Sequence, residues 1–138
     1  MAASNPVRVR WRAWRLLLLC WVMLLLMSFA LTILPYRRLA PILPSCKTPP
    51  PRRLARRLEA AILRASRSIP RTTCLAEACT VRLLLALRGY GATMRIGVKA
   101  LPDGKGFVAH AWLVDRNDVI LGARVPDFST YHRLIDYS

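Results

Sequence analysis

Acidic residues are what this chain has least of. Its 138 residues include 7 Asp and Glu against 22 Lys and Arg, a formal net charge of +15. Histidine occurs twice, as His110 and His132, and cysteine four times, as Cys20, Cys46, Cys74 and Cys79. No two cysteines have metal-finger spacing and no Cys-x-x-Cys occurs, so neither a metal nor another cofactor is expected. No internal repeat is visible. The basic excess suits a polyanion, an anionic membrane or an acidic protein. However, there is no aromatic-basic RNA-reading motif and no recognition helix, which makes nucleic acid an unlikely partner. The length allows one small domain.

The charge is concentrated at the front. Arg8, Arg10, Arg12 and Arg15 precede an uncharged run, Leu16 to Tyr36, and Arg52, Arg53, Arg56, Arg57, Arg64, Arg67 and Arg71 follow it. About 20 apolar residues suffice to cross a bilayer. No small-x-small cleavage site precedes Pro35-Tyr36-Arg37-Arg38, which argues against a secretory signal. Trp11, Trp14, Trp21 and Tyr36 sit near the ends, as interfacial aromatics do. Basic residues on both sides leave the orientation open. The expectation is membrane contact through residues 16–36, with spanning and packing in the fold both open. Cys20 lies inside this run, and Cys74 and Cys79 would point apart on one helix, so free thiols and a reducing compartment are expected.

The division expected is residues 1–48 (basic lead-in, hydrophobic helix, proline-rich linker) and 49–138 (catalytic unit). Pro41, Pro44, Pro49, Pro50 and Pro51 break residues 37–51. Thr48 is a candidate cap for a helix running to about Ser68, with Leu54, Leu58, Ala61, Ile62 and Ala65 on one face and arginines opposite. After Ile69-Pro70, Thr72 or Thr73 caps a second helix, with Cys74 in its first turn and Gly89 at its end. Three short strands follow, at about Thr93–Leu101, Gly106–Asp115 and Val119–Arg124, with Pro102-Asp103-Gly104 and Arg116-Asn117 as turns. Two helices and an antiparallel meander give an α+β fold.

Chemistry concentrates on two residues. Cys74 opens an apolar helical run, and the unpaired N–H groups of a helix start favour a thiolate. Arg71 adds positive potential. His110 lies in Val-Ala-His-Ala-Trp-Leu-Val, a strand that can return across that helix start. Together they are the working parts of a papain-like or transglutaminase-like cysteine site. Trp112 shares a sheet face with His110, as a core residue or as part of a substrate groove. Cys79 reads as core and His132 as surface. A third residue should steady the imidazole. With Arg116-Asn117 as a two-residue turn, position 110 faces about 123, where Gly122, Ala123 and Arg124 offer no acid. Asp115 and Asp118 are too far along the strand. Asp127 is the candidate, with a plain Cys-His dyad as the alternative.

Cys74-Leu75, Leu83-Leu84, Arg88-Gly89, then Arg95-Ile96-Gly97-Val98 and Ala109-His110-Ala111-Trp112, occur in an order that resembles the lasso-peptide precursor-processing proteins. These are the microcin-processing, transglutaminase-like cysteine peptidases. Leu34-Pro35-Tyr36-Arg37-Arg38-Leu39-Ala40 resembles the element closing that family's hydrophobic segment. The resemblance covers about residues 16–130. It implies a transglutaminase-like core, with Cys74 as nucleophile and His110 as general base and acid. It also implies removal of a leader peptide from a ribosomally made precursor before a macrolactam synthetase closes the ring. The length suggests the split form, served by a separate leader-recognition protein, with a cytoplasmic catalytic unit associated with the inner membrane. Two other readings stand beside it. One is a membrane-anchored basic binding module without catalysis. The other is an enzyme of the same nucleophile that transfers the acyl group to an amine.

Overall fold

The computed structural model describes residues 6–116, 118–125 and 127–137. Four helices precede a sheet: α1 (Pro6–Ile33), α2 (Tyr36–Leu39), α3 (Arg52–Ser66) and α4 (Cys74–Ala86). The strands are β1 (Thr93–Ala100), β2 (Phe107–Asp115), β3 (Asp118–Leu121) and β4 (His132–Tyr137). They form one antiparallel sheet in the order β3-β2-β1-β4. The α+β expectation holds, but the sheet has a fourth strand beyond the three read from the sequence. Asp115 pairs with Asp118 around the expected turn and Arg116 is left-handed. Asn117 of that turn lies outside the described residues.

The chain's punctuation sets the helix ends. Pro35 has no N–H to continue α1, which stops at Ile33. Pro51, not Thr48, precedes α3, and no side chain caps it. Proline's fixed φ suits that place without a hydroxyl. Thr73 caps α4, its Oγ1 accepting from the Ala76 N–H at 3.2 Å. At the other end Gly89 has φ 81, with Tyr90 N–H donating to Leu85 O and Gly89 N–H to Ala86 O. This paired closure needs a left-handed residue, which glycine supplies without strain.

The core lies between the helices and one face of the sheet. α3 buries Ala55, Leu58, Ala61, Ile62 and Ala65. Leu54 is only partly buried. α4 is buried on nearly every side, from Ala76 through Leu85, so it forms the central helix. α1 contributes Cys20, Leu24 and Met27 to the same core. Fully burying a side chain such as Leu58 or Leu24 stabilises by about 1.5–3 kcal/mol. Ala111 and Leu113 of β2, with Met94 opposite Leu113, close the core from the sheet. Tyr36 ties these parts together. Its ring meets Tyr137 of β4 edge-on at 4.9 Å, and its hydroxyl lies 3.4 Å from buried Arg82 of α4. Burial, only partly offset by Arg82, pushes the Tyr36 phenol up to about 12.

The linker packs against the connection from α4 to β1. Gly91 donates its N–H to Thr48 O at 2.8 Å, and a Cβ on Gly91 would fall on the Cys46 carbonyl. Backbone cannot yield there as a side-chain tip can. Gly91→Ala is expected to cost at least about 3 kcal/mol, the upper end for overpacking. Urea denaturation followed by far-UV circular dichroism checks this.

Candidate active site

β3 is only four residues long, and its pairing with β2 covers Leu113, Val114 and Asp115. The stretch of β2 before Leu113 therefore has an open edge, and the start of α4 occupies it. There the Cys74 thiol and the His110 imidazole lie close enough for each to shift the other's pKa, with the backbone N–H groups of Ala111 and Leu75 beside the sulfur. The two residues singled out in the sequence thus meet.

Nε2 of His110 lies 2.8 Å from the carbonyl oxygen of Gly122. A carbonyl only accepts, so Nε2 carries a proton in every charge state of the ring. Nδ1 is then the nitrogen left to the thiol, as a lone pair in the neutral ring or as N–H in the imidazolium. Gly122 has φ 99, and a Cβ there would lie 2.7 Å from Cβ and 3.2 Å from Cα of Trp112. Only glycine brings this carbonyl so close to β2 without strain. The chain that follows covers the ring. Tyr131 lies 5.4 Å and Phe128 6.4 Å from the imidazole centroid, and Trp112 stacks at 5.8 Å.

The structure does not pair Asp127 with His110. It stands in the left-handed region, and its carboxylate is turned to Lys99 of β1 at 3.3 Å. Its backbone oxygen accepts from the N–H and hydroxyl of Thr130. It pins the covering loop to β1, while the Gly122 carbonyl holds the ring. The register explains the difference. A bulge between Leu113 and Val114 shifts the β2–β3 pairing, and the strand ends at Leu121. The residue that next reaches His110 does so with its backbone.

Two groups escaped the sequence reading. Gly122 acts through an atom every residue has, so no residue type announced it. Glu77 did carry a signal, being three residues after Cys74 on the same helix. Burial pushes its carboxyl up, against the opposing pull of Ser66 and His110. It is a half-buried acid close enough to favour the charged imidazole.

The electrostatics favour a thiolate–imidazolium pair. Burial alone would raise the Cys74 thiol. The His110 hydrogen bond, the Ala111 N–H, the imidazole charge and the Leu75 N–H outweigh it and hold the thiol below its ordinary value of 9.0. His110 is raised above 6.5, by the Cys74 hydrogen bond first, against burial, and then by the Gly122 carbonyl and the Cys74 and Glu77 charges. Cys79, five residues on, is fully buried, and burial pushes it up to about 12 despite Arg82. Among the described residues no cluster of His, Cys, Asp and Glu could hold a metal ion.

The roles separate by titrating Cys74 alkylation against pH, with the modified cysteine identified by mass. His110→Ala removes the imidazole, which helps to lower the thiol pKa, so the alkylation midpoint is expected to move up. Gly122→Ala withdraws the carbonyl that supports the imidazolium and is expected to move it the same way. Asp127→Asn, which disturbs only the Lys99 pair, is expected to leave the midpoint in place.

Neither the curated proteins nor the solved structures yielded a match to this chain. The transglutaminase-like superfamily domain matches residues 17–135, from within α1 to within β4. Proteins of that superfamily generally work through a Cys-His-Asp triad and include cysteine peptidases and acyl transferases. The matched span takes in the helix bearing Cys74 and the strand bearing His110, and the chain belongs to the transglutaminase-like superfamily.

Proposed function

We propose that this protein is a cysteine peptidase that cuts the leader from a lasso-peptide precursor, with Cys74 as nucleophile and His110 as base and acid. The observation that carries the reading is the thiol and imidazole at a helix start, each shifting the other's pKa, with the ring held on the Gly122 carbonyl. The order of motifs from Leu34-Pro35-Tyr36 to Ala109-His110-Ala111-Trp112 supports the substrate class. The precursor is presented by a separate leader-recognition protein, and the product passes to a macrolactam synthetase.

The chemistry follows from the groups in place. The Cys74 thiolate attacks the carbonyl carbon of the leader–core amide. The resulting oxyanion is met by helix-start N–H groups, that of Cys74 and that of Leu75, which the sulfur releases as it gives up its charge. Nδ1–H of His110 gives its proton to the departing amine as the C–N bond breaks, leaving a thioester on Cys74. Water then attacks the thioester and yields a proton to Nδ1, and the leader leaves with a new carboxylate. Throughout, Nε2–H stays on the Gly122 carbonyl, so the ring keeps one orientation as donor and acceptor. A cleft of about 530 Å³ beside the helix start, lined by Leu25, Phe29 and Thr32 of α1 and by Pro70, Thr73 and Leu75, offers an apolar berth for residues flanking the cut.

The test is incubation of the full chain with precursor and leader-recognition protein, read by mass. Hydrolysis releases a leader heavier by one water, together with a core bearing a free amine. Attachment of the leader to an added amine would instead identify an acyl transferase. Cys74→Ala and His110→Ala are each expected to lower kcat/KM by at least about 10³-fold with the fold retained. Undiminished cleavage by folded Cys74→Ala would overturn the proposal. The pH profile should rise on a limb below 9.0 and fall on one above 6.5, because the active pair needs an ionised thiol and a protonated imidazole.

A further inference from the structure

α1 has two apolar faces and the fold uses one. Cys20, Leu24 and Met27, spaced by four and three residues, point into the core. On the opposite side Trp11, Trp14, Leu18, Val22, Phe29 and Ile33 repeat at the same helical spacing, and all are exposed. At 1.5 Å per residue that outer stripe is about 33 Å long. The helix is also fastened along its length, because the Trp21 indole N–H donates to Ser68 Oγ at 3.0 Å.

Arginines flank the outer stripe. On one side a groove is lined by Arg10 and Arg64 together with Trp14 and Leu17, and Arg57 of α3 lines the grooves on both sides. On the other, Arg12, Arg15 and Arg88 line a groove with Leu18, Leu19 and Val22. These guanidiniums decide how the helix can meet a bilayer. The segment is long and apolar enough to cross one. With α1 docked as it is, crossing would take Arg57 and Arg88 into the hydrocarbon beside Leu16 and Val22, an expensive place for arginine. Lying flat puts the same arginines at phosphate depth while the stripe enters the acyl boundary.

We propose that the outer face of α1 docks in the plane of an anionic lipid bilayer, with the flanking arginines on lipid phosphates and the helix still packed on α3 and α4. A net charge of +15, with arginines lining both grooves beside this face, is the complement of such a surface. The docked face runs past Phe29 to the cleft beside Thr73, so the helix start bearing Cys74 lies near the membrane plane.

The experiment is flotation of the full chain with vesicles of phosphatidylcholine alone or mixed equally with phosphatidylglycerol. Binding is expected to be at least about tenfold tighter to the anionic vesicles and to weaken with salt. Arg57→Gln with Arg64→Gln is expected to weaken it by about tenfold. Trp11→Glu with Leu18→Glu, both on the exposed face, is expected to abolish it while leaving circular dichroism and Cys74 alkylation unchanged. Depth is read with Leu25→Trp in a Trp11→Phe, Trp14→Phe, Trp21→Phe background, using lipids brominated near the glycerol or near the acyl terminus. Stronger quenching by the shallow bromines supports an in-plane helix. Stronger quenching by the deep ones means a crossing helix and overturns the proposal. Failure to bind anionic vesicles, or equal binding to neutral ones, also overturns it.

Discussion

The site depends on β3 stopping early. Its four residues cover β2 only as far as Leu113, so Ala111 pairs with β1 alone and its N–H favours the Cys74 thiolate. The termination occurs at Gly122, whose positive φ turns the chain out of the ladder and presents its carbonyl to Nε2 of His110. One local event thus opens the edge on which α4 docks, leaves a donor beside the thiolate and supplies the acceptor that fixes the imidazole tautomer. A β3 running two residues further would compete with α4 for the same edge.

That dependence explains which parts were readable in the sequence. α3 was legible because its apolar residues repeat at 3.6 while arginines fill the gaps, and α4 because Thr73 and Gly89 mark its ends. Cys74 and His110 were legible because thiol and imidazole are uncommon and chemically distinctive. β4 was not, since His-Arg-Leu-Ile-Asp-Tyr is an exposed edge strand in which Leu134 and Ile135 face solvent beside charged neighbours, so no alternation marks it. The orienting group was hidden for a different reason. The search for a carboxylate led to Asp127, whose side chain fastens a loop, whereas the working atom is a backbone oxygen. Its only trace was a glycine at 122, noted as lacking an acid and not as able to approach closely.

The scarcity of acids bears on the site as well. With 22 basic residues against 7 acidic ones, an unpaired carboxylate near His110 would find competing arginine partners. Arg52, Arg95 and Arg124 do engage Asp118, Asp136 and Glu59. A carbonyl forms no salt bridge and is fixed by the fold, so it keeps its place in a field dominated by guanidinium groups. Glu77 escapes capture differently, by lying half-buried in the first turns of α4, where it favours the imidazolium as a charge and not as a hydrogen-bond partner.

Cys74 and Cys79 show what makes the thiol reactive. Both lie on α4 and both are penalised by burial, yet one is lowered and the other raised to about 12. Exposure alone does not separate them, since Cys74 is itself substantially buried. Its advantage is in its neighbours: the Leu75 N–H of the helix start and the Ala111 N–H and His110 imidazole of β2 all favour the thiolate. Cys79 sits a turn and a half further along, where the N–H groups of α4 are already committed to carbonyls and a charge from Arg82 cannot offset the lost water. The reactivity of this fold therefore belongs to a position, the first turn of the central helix at the open edge of β2, and a cysteine elsewhere on the same helix remains a small apolar side chain.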